Sequence, residues 1–217
     1  MKKLLLLGFL CWFGKVFAQT DSENIFHHRY YFGGMGGYGS TTWNALVPRQ
    51  TGQNSALSIS TPTEVGEGGA VWGLAAGYEF IPCFALELNY MQFPDATIMF
   101  DEYSLFAFDN DGITNLNTKT ETVSLNAKLM LHIPHTKSLR AFSSVGVAAV
   151  IRKDQINETN RISPTFGFGI NFLPVDRVMI EIGSNYTAGY GESEINPVED
   201  YVPFLYSVFG KVTFRLG

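Results

Sequence analysis

Residues 122–133 read TVSLNAKLMLHI. Val123, Leu125, Ala127, Leu129, Leu131 and Ile133 fall at one parity; Thr122, Ser124, Asn126, Lys128, Met130 and His132 fall at the other. An alternation of period two is the mark of a strand with one apolar face, because successive side chains leave a strand on opposite sides. A helix would scatter the same residues around its axis. The unusual member is Lys128, a charge set in the polar face of a strand whose other face is continuously aliphatic.

The same rhythm recurs along the chain. Tyr206, Val208, Val212, Phe214 and Leu216 share a face with Gly210, against Ser207, Lys211, Thr213 and Arg215, with Phe209 breaking the polar face once. Residues 177–190 set Val178, Ile180, Ile182, Tyr186 and Ala188 against Met179, Glu181, Gly183, Asn185 and Thr187. Residues 161–172, 68–80 and 84–93 alternate in the same way. In 139–151 the small-residue core SSVGVAA leaves the phase open, and residues 30–42 make the remaining strand. That gives eight strands and, after the first residues, no convincing helix.

The connections alternate in length. Short ones carry proline (81–83, 133–137, 173–176); long ones lie between them (43–67, 94–120, 152–160, 191–203). Tight turns at one end and large loops at the other describe an up-and-down barrel. The polar partners are glycine, alanine, asparagine or charged residues, too small or too charged for the shared core of a soluble sandwich. Aromatics sit near the strand ends: Tyr78, Phe80, Phe84, Tyr90, Phe172, Tyr186, Tyr190, Phe204, Tyr206 and Phe214, with Tyr30, Tyr31, Phe32 and Tyr38 on the first strand. Such girdles mark the two lipid–water boundaries. Strands of about ten tilted residues cross a bilayer, and closure satisfies every backbone group in lipid. The expected fold is an all-β, eight-stranded antiparallel up-and-down transmembrane barrel.

The first residues agree. A basic start, Met1-Lys2-Lys3, precedes a short apolar run from Leu4 to Phe13 and then Val16-Phe17-Ala18. This has the form of a signal peptide over residues 1–18, too short to span a membrane. The barrel domain is then 19–217, exported to an outer membrane. Only Cys83 remains after cleavage, so no intrachain disulfide forms; following Pro82 with no nearby histidine, it reads as a turn residue rather than a nucleophile. A net charge of −5 argues against nucleic acid. The 22 glycines and 18 phenylalanines are a poor match to a soluble surface.

At this point the chain resembles the eight-stranded OmpA-like outer-membrane barrels, also described as opacity-type surface antigens. The residues that carry the resemblance are Tyr31-Phe32-Gly33-Gly34, Leu74-Ala75-Ala76-Gly77-Tyr78, Phe84-Ala85-Leu86-Glu87-Leu88-Asn89-Tyr90 and Val212-Thr213-Phe214-Arg215-Leu216. It covers essentially all of the mature chain. It implies a structural or interaction role in membrane integrity, adhesion or antigenicity. Expected partners are outer-membrane lipid and lipopolysaccharide, the barrel assembly machinery and, at the loops, host surface molecules, for a monomer without cofactor or metal. One departure is the end: such barrels usually finish on an aromatic, whereas here Leu216-Gly217 follow Phe214 and Arg215. The periplasmic domain of longer members is not expected after the barrel.

An eight-stranded barrel has an interior just wide enough for side chains to fill. Glu87 and Lys128, on neighbouring strands, lie at similar distances from a periplasmic turn; Glu181 lies a similar distance from its turn, and Lys211, on the neighbouring strand, from the chain end. Two acid–base pairs are therefore expected at one height, since buried ions need partners. Glu79 and Arg215 continue the plug toward the periplasm. The alternative functions are a narrow pore for small or hydrophobic solutes and, less favoured, an enzyme acting on outer-leaflet lipid. The four histidines, His27, His28, His132 and His135, all fall on the periplasmic side, where no base reaches a serine at the outer rim.

Loop 94–120 carries Asp95, Asp101, Glu102, Asp109 and Asp111 among Phe100, Tyr103, Phe106 and Phe108; loop 191–203 carries Glu192, Glu194, Glu199 and Asp200. The loop aromatics either contact a partner or fold back to cap the barrel. Asp109-Asn110-Asp111-Gly112 lacks the remaining ligands of a calcium loop and reads as a turn. Residues 34–39, GMGGYG, spell a dinucleotide fingerprint, but no helix follows and no acid stands about twenty residues on. They read as a glycine-rich strand that pairs with the last strand to close the barrel, with Gly36 expected to tolerate no bulky side chain.

Overall fold

The computed structural model describes residues 30–47, 61–136, 138–189 and 202–216. The expected signal peptide, His27, His28, Tyr190 and the acidic residues of loop 191–203 lie outside the described residues.

Among the described residues there are ten strands: β1 (Tyr30–Ser40), β2 (Glu64–Gly66), β3 (Gly69–Ile81), β4 (Phe84–Gln92), β5 (Ala96–Met99), β6 (Asn115–His132), β7 (Leu139–Lys153), β8 (Glu158–Val175), β9 (Val178–Thr187) and β10 (Leu205–Leu216). Eight of them close on themselves, each antiparallel to two neighbours, in the order β1-β3-β4-β6-β7-β8-β9-β10 and back to β1. The closing seam pairs Tyr30 with Leu216 and Ser40 with Tyr206. No open edge remains within the wall, which is the condition for a sheet in lipid.

The barrel is inside out relative to a soluble protein. Along β10, residues alternate strictly between buried and exposed; the buried ones include Lys211, Thr213 and Arg215, and the exposed ones Val208, Val212, Phe214 and Leu216. The same holds for β6, where Lys128 is buried and Val123, Leu125, Leu129 and Leu131 are exposed. Charges inside and a continuous aliphatic wall outside are stable only when the outer solvent is hydrocarbon. Two aromatic girdles bound that wall. Near the short turns Tyr30 packs on Tyr78 (4.7 Å between centroids), Tyr78 on Phe80 and Phe32 on Phe214. Toward the long loops Trp72 meets Tyr90 edge-on and Tyr186 stacks on Phe204.

Two expectations for β1 are corrected. Tyr31 is not a girdle residue: it has the opposite parity to Tyr30 and Phe32, and it is buried in the lumen at 2 % exposure. Gly36 is not the crowded glycine. It faces outward, and an added Cβ would meet only the Val71 carbonyl oxygen at 3.7 Å. The crowded positions are the inward-facing Gly33 and Gly37, where a Cβ would run into the backbone carbonyls of Val212 and Val208 on β10. Close approach of two backbones, rather than bulky neighbours on the wall, requires glycine there. In β7 the structure sets the phase that the small residues left open: Arg140, Phe142, Ala148, Val150 and Arg152 are buried, and Val145 and Val147 exposed.

The long-loop end is more ordered than expected. β6 begins at Asn115, inside the segment read as loop, and β5 pairs with its first residues, Ala96 opposite Thr118 and Met99 opposite Asn115. β2 pairs with β5 in turn. A short helix, α1 (Leu105–Asp109), sits at the tip. It ends where Asp111 and Gly112 adopt positive φ (54° and 82°), which gives the Asp109-Asn110-Asp111-Gly112 run its role as a helix stop.

Candidate functional site

The lumen is filled in layers. Nearest the short turns, Glu79 accepts from Arg140 Nη2 at 3.1 Å and from Arg215 Nη2 at 2.5 Å. Each arginine also donates to a turn carbonyl, Arg140 to Pro82 O and Arg215 to Asp176 O, both at 3.3 Å. These bonds pin the wall to the short turns on either side. An apolar cluster of Tyr31, Ala85, Met130, Phe142 and Met179 packs around this level.

The next layer brings Glu87, Lys128, Glu181 and Lys211 into one ring. Lys211 Nζ lies 2.8 Å from Glu87 Oε1 and 2.7 Å from Glu181 Oε1. Lys128 Nζ lies 3.3 Å from Glu87 Oε2 and contacts Glu181 Oε2 directly. The Tyr31 hydroxyl donates to Glu87 Oε2 at 2.9 Å. Both lysines are 1 % exposed. Sequence reasoning paired Glu87 with Lys128 and Glu181 with Lys211; the structure makes those contacts and adds the two that cross the lumen. A barrel of eight strands is narrow enough that a lysine on one wall reaches a glutamate on the other. Lys211 and Glu181 are directly opposite in register, whereas Lys128 is opposite Ala85 and reaches Glu87 on the diagonal. Each cation thus has two carboxylates and each carboxylate two cations, the arrangement that makes burial of four charges tolerable.

Two residues bonded to the glutamates of these layers, Arg140 and Tyr31, escaped the sequence reading. Arg140 did so because the phase of β7 was open. Tyr31 did so because aromatics near strand ends were read as girdle; the period-two rule alone would have placed it with Gly33 and Met35, inside.

Above the ring lies a small cavity of about 20 Å³, bordered by Glu87, Asn89, Asn126, Ser144, Glu181 and Asn185. It has room for one or two waters. An apolar cluster then reaches across the lumen from β1, β3, β4 and β10 to Val150 on β7: Met35, Val71, Ala75, Met91, Phe93, Val150, Val202, Leu205 and Phe209. Phe209, the odd residue in the polar face of β10, is part of this cluster.

Outside the barrel a separate core holds the long-loop end together: Trp43, Ala96, Ile98, Phe100, Phe106 and Leu116, with Val65 and Ile156 against it. Phe100 and Phe106 stack at 4.0 Å. These two therefore leave the set of contact candidates, since a buried ring has no face for a partner. Tyr103 and Phe108 remain, exposed at 85 % and 84 %. Nearby, Glu67 accepts from the backbone N–H groups of Trp43 (2.6 Å) and Asn44 (3.1 Å), tying together the two ends of the first long loop.

Cys83 sits in the turn between β3 and β4, where burial pushes its thiol up, away from the reactive thiolate. Among the described residues no group of three His, Cys, Asp or Glu could hold a metal ion.

The OmpA-like transmembrane domain model matches residues 27–217. No curated protein sequence is detectably similar to the chain. Among solved structures, the outer membrane protein OprG of Pseudomonas aeruginosa superposes with TM-score 0.51 at 12 % identity, covering 88 % of this chain and 97 % of its own. The N-terminal β-barrel domain of Pseudomonas aeruginosa OprF gives 0.48 at 12 %, covering 87 % and 98 %. Neisserial surface protein A gives 0.47 at 10 %, covering 86 % and 97 %. At such identities the likeness is one of fold. With a closed barrel, an aliphatic wall and a family model spanning nearly its whole length, the chain belongs to the OmpA-like transmembrane domain family and is an eight-stranded β-barrel of the bacterial outer membrane.

Proposed function

We propose that this barrel is a non-catalytic surface protein that serves the membrane through its wall and its outer loops, with its lumen closed. The observation that carries this reading is what fills the lumen: a ring of two glutamates and two lysines, then an apolar cluster reaching across it. A solute would have to break buried ion pairs and wet an apolar constriction in turn. Among the described residues, the outer loops share a core of their own. Outer-membrane lipid surrounds the wall, the assembly machinery delivers it, and the chain works as a monomer.

Single-channel recording in planar bilayers tests the closed lumen. The wild type is expected to be silent or to show brief, rare openings, and Lys128→Ala to open more often. A large, steady wild-type conductance that Lys128→Ala leaves unchanged sinks the reading in favour of a pore.

A further inference from the structure

One exposed apolar surface lies away from the lipid wall, at the tip of the loop between β5 and β6. Tyr103, Leu105 and Phe108 are exposed there, while Phe106 and Ala107 of the same short helix are buried in the loop core. The tip is held in shape. Ser104 Oγ accepts from Ala107 N at 3.1 Å, Asp101 Oδ1 from Tyr103 N at 2.9 Å, Phe106 O from Asn110 Nδ2 at 2.9 Å and Ala107 O from Gly112 N at 2.8 Å. The exposed rings are thus presented by a pre-ordered scaffold, which lowers the ordering cost of binding.

The lipid bilayer is a poor occupant. Val123 pairs with Tyr90 of the outer girdle, and Asn115, where the tip joins β6, stands eight residues farther out. At strand rise and barrel tilt that is roughly 20 Å beyond the girdle. Asp101, Glu102, Asp109 and Asp111 are exposed around the rings, and residues 94–118 contain neither lysine nor arginine. That field repels phosphates and sulfated sugars and attracts cations. Large apolar side chains rimmed by charge of one sign mark a protein-binding surface.

We propose that this tip is a docking platform for a cationic amphipathic polypeptide, whose apolar side chains pack on Tyr103, Leu105 and Phe108 while its lysines and arginines meet the four carboxylates. The proposal rests on the reading that the protein acts through its outer loops, and it names the chemistry of the partner.

The test uses the full barrel in nanodiscs of zwitterionic lipid. The probe is a fluorescent synthetic peptide of lysine and leucine at helical spacing, with empty nanodiscs as baseline. Saturable binding above baseline is expected, weakening about tenfold when salt rises severalfold, as for exposed charges beyond a shortened Debye length. Tyr103→Ser with Phe108→Ser should abolish it. Replacing Asp101, Asp109 and Asp111 by Asn and Glu102 by Gln should weaken it about as much as salt does. Asn preserves the acceptor at 101 and tolerates the positive φ at 111, so both variants should keep the heat-modifiable migration of a closed barrel. No binding above baseline, binding that survives neutralisation, or equal binding of a glutamate–leucine peptide would each overturn the proposal. A silent barrel that fails to bind removes the platform alone; a conducting barrel removes the closed-lumen reading whatever the peptide does.

Discussion

At the scale of single residues, the lumen is ordered by charge and the seam by space. Truncating Lys128 leaves Glu87 and Glu181 sharing one buried cation, Lys211. Lys128→Ala should therefore lower unfolding free energy in urea by about 3–5 kcal/mol, the usual cost of breaking a buried pair from one side. Tyr31→Phe removes one donor to a Glu87 that keeps two lysines, so its cost should be nearer 1–2 kcal/mol. The glycines of β1 separate by face. Gly33→Val drives a side chain into the β10 backbone and should abolish the fast-migrating folded band on unboiled gels, while Gly36→Val, facing lipid, should retain it. The sequence names both glycines equally. Which one is crowded depends on how closely β1 and β10 coil together, and no pattern along one strand contains that distance. Tyr31 is the opposite case, because its parity was readable and only the expectation of a girdle hid it.

At the scale of elements, the outer end behaves as a small folded unit mounted on the barrel. Phe106 fills the loop core against Phe100, Trp43 and Leu116. Phe106→Ala should cost the loop about 3–4 kcal/mol of packing and make it sensitive to limited proteolysis between β5 and β6. The barrel itself, whose eight wall strands pair with one another around the full circle, should keep its heat-modifiable migration. The eight wall strands were legible because each buries one face and exposes the other, so period two survives in the sequence. β2, β5 and the first residues of β6 were not. Runs such as Asn115-Leu116-Asn117-Thr118 are polar loop by composition, and become strand only because β5 pairs beside them. The loop aromatics left two readings even, and the structure divides them, Phe100 and Phe106 inside, Tyr103 and Phe108 outside.

At the scale of the whole molecule, the proposed closure belongs to the barrel itself. The charge ring and the apolar cluster are both built from wall residues, apart from Phe93 and Val202, and lie below the loop core. Replacing residues 101–112 by a short Gly-Ser linker should then leave single-channel records as quiet as those of the wild type. A steady current in that variant would move the seal to the loops. What the sequence determined by itself is the barrel: the hydrophobic period selects strands, their count and the alternating connections select an up-and-down closure, and charged residues opposite an aliphatic face require lipid outside. It also named Glu79, Glu87, Lys128, Glu181, Lys211 and Arg215 as lumen groups, because height above a turn can be counted along a strand. Only the tertiary structure joined those groups into one ring, brought Arg140 to Glu79 and placed Phe209 in the apolar cluster. Contacts across the lumen depend on the width and stagger of the closed sheet, which belong to all eight strands together and to none of them alone.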